Sequence, residues 1–227
     1  MKLAVFDFDG TLFPRDTLPF LLSEWKRQRY SKWRYFRSYS SLILLYIRYK
    51  ILKNKSGGAQ QQSREQVKLT AMEKFYRIFS GMTEEEVNAF MEKSARAAQL
   101  LLDASVVEEI GRARAEGFHT VLLSGAFENF LQYIGEHLGM DNVIGTKMHF
   151  INGMFDADYK PEVVTGGLKI ERIRTSFPGD RADLQASRAY ADSFSDADIL
   201  GAVGYPVAVH PDAALRELAT EKNWIIL

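Results

Sequence analysis

Leu3-Ala4-Val5-Phe6-Asp7-Phe8-Asp9-Gly10-Thr11-Leu12 is the stretch on which the fold turns. An apolar, β-prone run from Leu3 to Phe8 meets acidic residues and then Gly10. That pattern reads as a buried strand entering a loop. Strand side chains alternate, so Asp7 and Asp9 are expected to point to the same side at the strand's carboxyl end. In open α/β sheets the ligand crevice lies beyond those ends. Two carboxylates crowded there repel unless a cation screens one or one holds a proton. A magnesium ion and a phosphate ester suit such a place. One carboxylate can attack phosphorus while its neighbour protonates the leaving oxygen. The Asp9-Gly10-Thr11-Leu12 loop offers a hydroxyl and backbone N–H groups to phosphate oxygens.

Outward from this stretch the pattern becomes helical. Leu18, Leu21, Leu22 and Trp25 recur at helical spacing, as do Met72, Phe75, Tyr76 and Phe79. Lys53 to Ser63 is polar and glycine-bearing and reads as a mobile connection. Thr83 and Glu86 form a capping-box signature. After Asp103 strands alternate with helices, and Asn152-Gly153 marks a hairpin within Met148 to Tyr159. The expected fold is therefore α/β, a doubly wound, mostly parallel Rossmann-like sheet with an inserted all-helical cap. The expected division is a core of residues 1–15 and 103–227 and a cap of residues 16–102.

More chemistry follows later strands. Ser124-Gly125 supplies a hydroxyl and a tight turn after Val121-Leu122-Leu123. Lys169 stands at a helix start, where a point charge can neutralise a phosphate oxygen. Asp192 and Asp196 flank Ser193-Phe194-Ser195, and oxygen ligands of that kind hold a hard cation. His119, His137, His149 and His210 lack zinc-ligand spacing, and cysteine is absent.

These segments, in this order, resemble the four motifs of the haloacid dehalogenase superfamily. Asp7-Phe8-Asp9-Gly10-Thr11-Leu12 resembles the first, Val121 to Gly125 the second, Lys169 the third and Asp192 to Asp196 the fourth. The fourth segment, followed by Val203 to Val209, and the cap after the first motif are similar to the type IB, phosphoserine-phosphatase-like branch. The resemblance implies a Mg2+-dependent phosphatase that forms a phosphoryl-aspartate on Asp7. It makes Asp7 the nucleophile and a metal ligand. Asp9 is general acid and base, with its backbone carbonyl a second ligand. Thr11, Gly10, Ser124, Gly125 and Lys169 contact the phosphoryl group. Asp192 is a metal ligand, and Asp196 orients a bound water or Lys169. Two departures bear on substrate choice. Asp16 stands where that branch carries a glutamate for the substrate ammonium, and Ser195 where it carries asparagine. The substrate implied is a small phosphorylated metabolite of phosphoserine type.

Charge leaves a second reading open. The formal net charge is zero, yet Lys26 to Lys55 carries ten basic residues and no acidic one. Eight aromatics lie between Trp25 and Tyr49. Either this is a helix pair whose lysine and arginine stems cover apolar surface, or residues 25–55 make peripheral contact with an anionic membrane or lipid substrate. The second case would make the chain a lipid-phosphate phosphatase at the membrane surface. Nucleic acid is not expected, because no binding motif accompanies the charge. A phosphoryl-aspartate signalling domain without turnover is a third alternative, which the long insert argues against. The amino-terminal stretch has no apolar signal-peptide core, and the longest apolar run is Leu42 to Ile47. Both favour a cytoplasmic protein, with a peripheral place at the inner membrane surface under the lipid reading.

Overall fold

The computed structural model describes residues 1–36, 40, 42, 43, 45, 47 and 58–227. Six strands form one parallel sheet in the order β3-β2-β1-β6-β7-β8. They are β1 (Leu3–Phe6), β2 (His119–Phe127), β3 (Asn142–Thr146), β6 (Arg188–Ala191), β7 (Tyr205–Ala208) and β8 (Ile225–Ile226). All four residues of β1 are buried, as an interior strand of a two-sided sheet requires. The chain winds from β1 through β2 to β3 on one side, then crosses to β6 and continues to β8 on the other. The boundary between β1 and β6 is thus the topological switch point, where α/β folds open a crevice.

Alternation along β1 serves two cores. Ala4 and Phe6 face one cluster with Leu122, Tyr190 and Val207. Leu3 and Val5 face the other with Val121, Leu123, Ala189 and Ala208. The first is covered by α1 (Thr17–Arg27), α2 (Gly58–Tyr76), α3 (Glu84–Gln99), α4 (Ala104–Ala115) and α5 (Glu128–Leu138). The second is covered by α6 (Gly167–Ser176), α7 (Ala197–Ala202) and α8 (Ala213–Glu221).

The described regular structure of residues 16–102 is helical throughout. Its aromatics continue the first core without a break. Phe8 meets Phe130 edge-on at 5.7 Å between centroids, Phe13 meets Phe20 at 5.1 Å, and Trp25 meets Phe90 at 5.3 Å. Edge-to-face pairs of this kind add roughly 0.5–1.5 kcal/mol each beyond their buried area. Thr83 and Glu86 close the expected capping box at the start of α3. The hairpin forms from β4 (Phe150–Ile151) and β5 (Met154–Phe155), with Asn152 and Gly153 both at positive φ as its turn demands. It also straps the insert. Glu84 N–H donates to Gly153 O at 2.8 Å, and Phe155 N–H donates to Met82 O at 2.9 Å.

Two local expectations need correction. The polar connection expected through Ser63 is already helix from Gly58. Ala59 and three glutamines are good helix formers, and they outweigh the glycine signal. The strand expected to end at Leu123 runs on to Phe127, with a register shift against β3 between those residues. The irregularity carries the strand through Ser124-Gly125. Among the described residues no helix is long and apolar enough to cross a membrane.

Candidate active site

The site grows from the two central strands. Asp7 follows β1, and its N–H donates to Tyr190 O of β6 at 2.9 Å, so the pairing fixes its backbone. Asp192 follows β6 directly. The 3-10 turn Phe194–Asp196 brings in Asp196, which is buried. Lys169 enters from the first turn of α6, whose preceding Gly166 has φ +53°.

Lys169 Nζ lies 2.7 Å from Asp7 Oδ1 and 2.7 Å from Asp196 Oδ1. All three side chains are almost fully buried. Burial pulls the lysine down, but the carboxylates of Asp196 and Asp7 outweigh it and hold the ammonium charged well above its ordinary range. Burial pushes the Asp7 carboxyl up, against the pull of Lys169, and the Asp196 charge adds to the rise. A buried carboxylate under that pressure gains from a nearby cation.

Asp7, Asp192 and Asp196 each place one carboxylate oxygen within 4.8 Å of the others. Three carboxylates against one ammonium leave two negative charges when all are ionised, the amount a divalent ion cancels. Oxygen donors alone select a hard cation such as Mg2+. Gly10 keeps this corner open. It has φ +82°, and a Cβ there would lie 2.2 Å from Asp192 Oδ2. Its N–H donates within the loop to Phe13 O at 2.7 Å, and Thr11 N–H donates to Phe8 O at 3.2 Å. Thr11 itself is fully buried, and its Oγ1 has no hydrogen-bond partner among the described residues. An orphaned buried hydroxyl costs roughly 1–3 kcal/mol, which a ligand oxygen would relieve.

Asp9 is held by the start of α1. Its Oδ1 accepts from the N–H of Thr17 at 3.0 Å and from the Thr17 hydroxyl. The carboxylate thereby satisfies an open N–H at the start of α1, where a helix favours negative charge. Asp16 occupies the N-cap position, but its side chain makes no capping bond and is exposed. Ser124 is buried on β2, and its Oγ accepts from Ala126 N–H at 3.2 Å. Gly125 O accepts from the Thr146 hydroxyl at 2.7 Å. Ser195 donates its hydroxyl to Ser193 Oγ at 3.1 Å and stays on its own turn.

Three supports were not foreseen from the sequence. Thr17 holds Asp9 as described. Asp103 caps α4 while its N–H donates to Leu12 O at 2.9 Å, tying the end of the insert to the site loop. Asp212 caps α8 while its N–H donates to Asp192 O at 2.8 Å. A cap signature was readable at each aspartate, since each stands just before a helical run. The second bond of each crosses the fold and leaves no local trace.

The chain as a whole has relatives among known proteins. The model of the haloacid dehalogenase-like hydrolases matches residues 4–201. The chain belongs to that family. It is 34% identical over 93 residues to the phosphoserine phosphatase SerB1 of Mycobacterium tuberculosis, an alignment covering 41% of this chain and 30% of that one. The matched stretch is thus well under two thirds of that relative's length. In shape the chain is similar to a protein of unknown function from Bordetella pertussis Tohama I, with TM-score 0.79 and 21% identity over 100% of this chain and 97% of that one. It is also similar to a substrate-bound phosphoserine phosphatase, with TM-score 0.63 and 18% identity over 100% and 92% of the two chains. These two likenesses speak for the fold, a haloacid dehalogenase-like α/β sheet.

Proposed function

We propose that this member of the family is a Mg2+-dependent phosphomonoester hydrolase that works through a phosphoryl-aspartate on Asp7. The observation that carries the reading is Lys169, buried between Asp7 and Asp196 at 2.7 Å from each. That contact pulls Asp7 toward its ionised form and aims it, as a nucleophile needs. Asp7, Asp192 and Asp196, with the backbone carbonyl of Asp9, would hold the metal ion. When bound, it would neutralise phosphoryl oxygens that gather charge in the transition state.

The remaining roles fall to this chain's own groups. An Asp7 oxygen forms a bond to phosphorus as the ester oxygen leaves. Asp9 gives its proton to that oxygen and the alcohol departs. Asp9 then takes a proton from the water that attacks phosphorus, and the bond to Asp7 breaks. Phosphate is released and both aspartates return to their starting states. The Thr11 and Ser124 hydroxyls, Gly10, Gly125 and Lys169 cradle the transferring group. Thr17 orients Asp9 between these duties. The helical insert 16–102 acts as the cap that excludes water and selects substrate.

The substrate class we favour is a small phosphorylated metabolite of phosphoserine type, with Asp16 and Ser195 as the selecting positions. Support comes from the phosphoserine phosphatase relative and from the exposed carboxylate of Asp16 beside the site loop. Phosphate release from a panel of phosphomonoesters, with and without Mg2+, tests the reading. The panel holds phosphoserine, other amino-alcohol phosphates, sugar phosphates, nucleotides and phosphatidylglycerophosphate in mixed micelles. Mg2+-dependent release from an amino-alcohol phosphate is the expected result. Preference for the micellar lipid would move the substrate to the membrane, and release from no compound would overturn the reading.

A further inference from the structure

Residues 32–36, 40, 42, 43, 45 and 47 are helical, and they carry two apolar sides. Tyr35 and Leu42 pack on the first core, and residue 45 is also half-buried. Arg34 is half-buried there too, with its guanidinium donating to Ile78 O at 3.5 Å. The other side faces solvent. Trp33 is 73% exposed, Phe36 69%, Ile43 38% and Ile47 49%. With exposed Ser40 between them, these positions follow steps of three, four, three and four. On a helix of 3.6 residues per turn they make one stripe. A monomer rarely leaves four large apolar side chains in such a row without use.

Charge tells what would cover the stripe. Lys26 to Lys55 has ten cations and no anion, whereas the rest of the chain is acid-rich. Of these cations, Lys26, Arg29 and Lys32 are exposed in the described part, and Arg27, also exposed, pairs with the buried carboxylate of Glu24. A second copy docked by two-fold symmetry would set stripe against stripe and cation against cation. Nucleic acid would use the aromatics for stacking but has no use for Ile43 and Ile47. An anionic bilayer surface takes both features. Its headgroups meet lysine and arginine, and its acyl boundary receives Trp, Phe and Ile. The segment's other basic and aromatic residues, Arg37, Tyr39, Tyr46, Arg48, Tyr49 and Lys50 among them, lie outside the described residues.

We propose that the Trp33–Phe36–Ile43–Ile47 stripe is a membrane-surface docking face for anionic phospholipid. It brings the protein to the bilayer as a peripheral guest, and it does so independently of the chemistry proposed for Asp7. The stripe belongs to the insert, so docking would also place the cap at the lipid surface.

Flotation with phosphatidylcholine vesicles, with and without phosphatidylglycerol, is the test. The full chain is compared with a Trp33→Ala/Phe36→Ala variant, in low and high salt. Wild type is expected to float with the anionic vesicles and not with the neutral ones, and high salt is expected to weaken it. The double variant is expected to bind at least about ten-fold less, since two large side chains lose their apolar burial. Its melting temperature and its phosphate release from a soluble ester should match wild type, because both side chains are exposed. No flotation with anionic vesicles, or equal flotation by the variant, would overturn the proposal. So would sedimentation showing a dimer that the variant converts to monomer, which would make a second copy the occupant. A chain that floats but releases no phosphate would sink the catalytic reading alone.

Discussion

The molecule concentrates charge in two regions that treat it in opposite ways. At the carboxyl end of the sheet, Asp7, Asp196 and Lys169 are buried within 2.7 Å contacts, and every charge has an assigned neighbour. In the insert, Lys26 to Lys55 strings out cations without a single acidic residue, and among the described ones Lys26, Arg27, Arg29 and Lys32 are exposed. Coulomb energy explains the contrast. A charge pair at contact is worth little in water and far more in a low-dielectric interior, where an unpaired charge is also most costly. The buried cluster must therefore be set to fractions of an ångström by strands and caps. The exposed run needs only a composition and a helical spacing. The first arrangement suits chemistry on a small dianionic group, the second suits attraction to an extended anionic surface.

Breaking the buried side should have the largest effects. Lys169→Met leaves Asp7 and Asp196 facing each other without their cation. Turnover should fall by about 10^2–10^3-fold, and the metal-free protein should lose about 3–5 kcal/mol of stability. Added Mg2+ should restore part of that stability, which denaturant melts with and without the ion would show. A variant as stable as wild type in metal-free buffer would mean that the cluster is not held by charge.

Gly10→Ala tests the same corner by shape. A methyl group 2.2 Å from Asp192 Oδ2 must displace that carboxylate. Mg2+ affinity, read by calorimetry, should drop about ten-fold or more. The left-handed backbone adds a stability cost of about 1–2 kcal/mol. The smallest effect belongs to the junction between the regions. Asp103→Ala removes the cap of α4, at a cost of about 1 kcal/mol. The Ser105 hydroxyl and the α4 N–H groups hold the Asp103 carboxyl below its ordinary value of 3.8. Its stabilisation is then fully present above that value and is lost as pH falls through the lower, folded one. The melting-temperature gap between wild type and Asp103→Ala should accordingly close in acid and stay constant from neutral pH upward.

What could be read from the sequence follows the same division. The strand into Asp7, the alternation of strands and helices, the Asn152-Gly153 hairpin and the Thr83 capping box are local signals, and each appears in the structure. The family was legible because its chemistry is packed into short contiguous motifs at strand ends. Lys169 could be picked out by its place at a helix start, but its equidistance from Asp7 and Asp196 arises from tertiary packing. The same holds for the Thr17 contact that holds the Asp9 carboxylate, which no local pattern announces. The Gly58 region misled because a glycine reads as a breaker, whereas the residues after it favour helix. The β2 extension through Ser124-Gly125 was hidden because a bulge looks like a turn in one dimension.

The central claim is covalent chemistry at Asp7, and mass spectrometry of peptides from protein acid-quenched during turnover tests it most directly. Substrate and Mg2+ are supplied, and Asp9→Asn serves as the slowed variant. The account predicts a phosphoryl mass increment on the peptide carrying Asp7, and with an aryl phosphate, whose leaving group needs no proton, a stronger one in Asp9→Asn, because then only the hydrolytic step is slowed. Steady turnover by wild type with no increment in either protein, or with the increment on another residue, would contradict it.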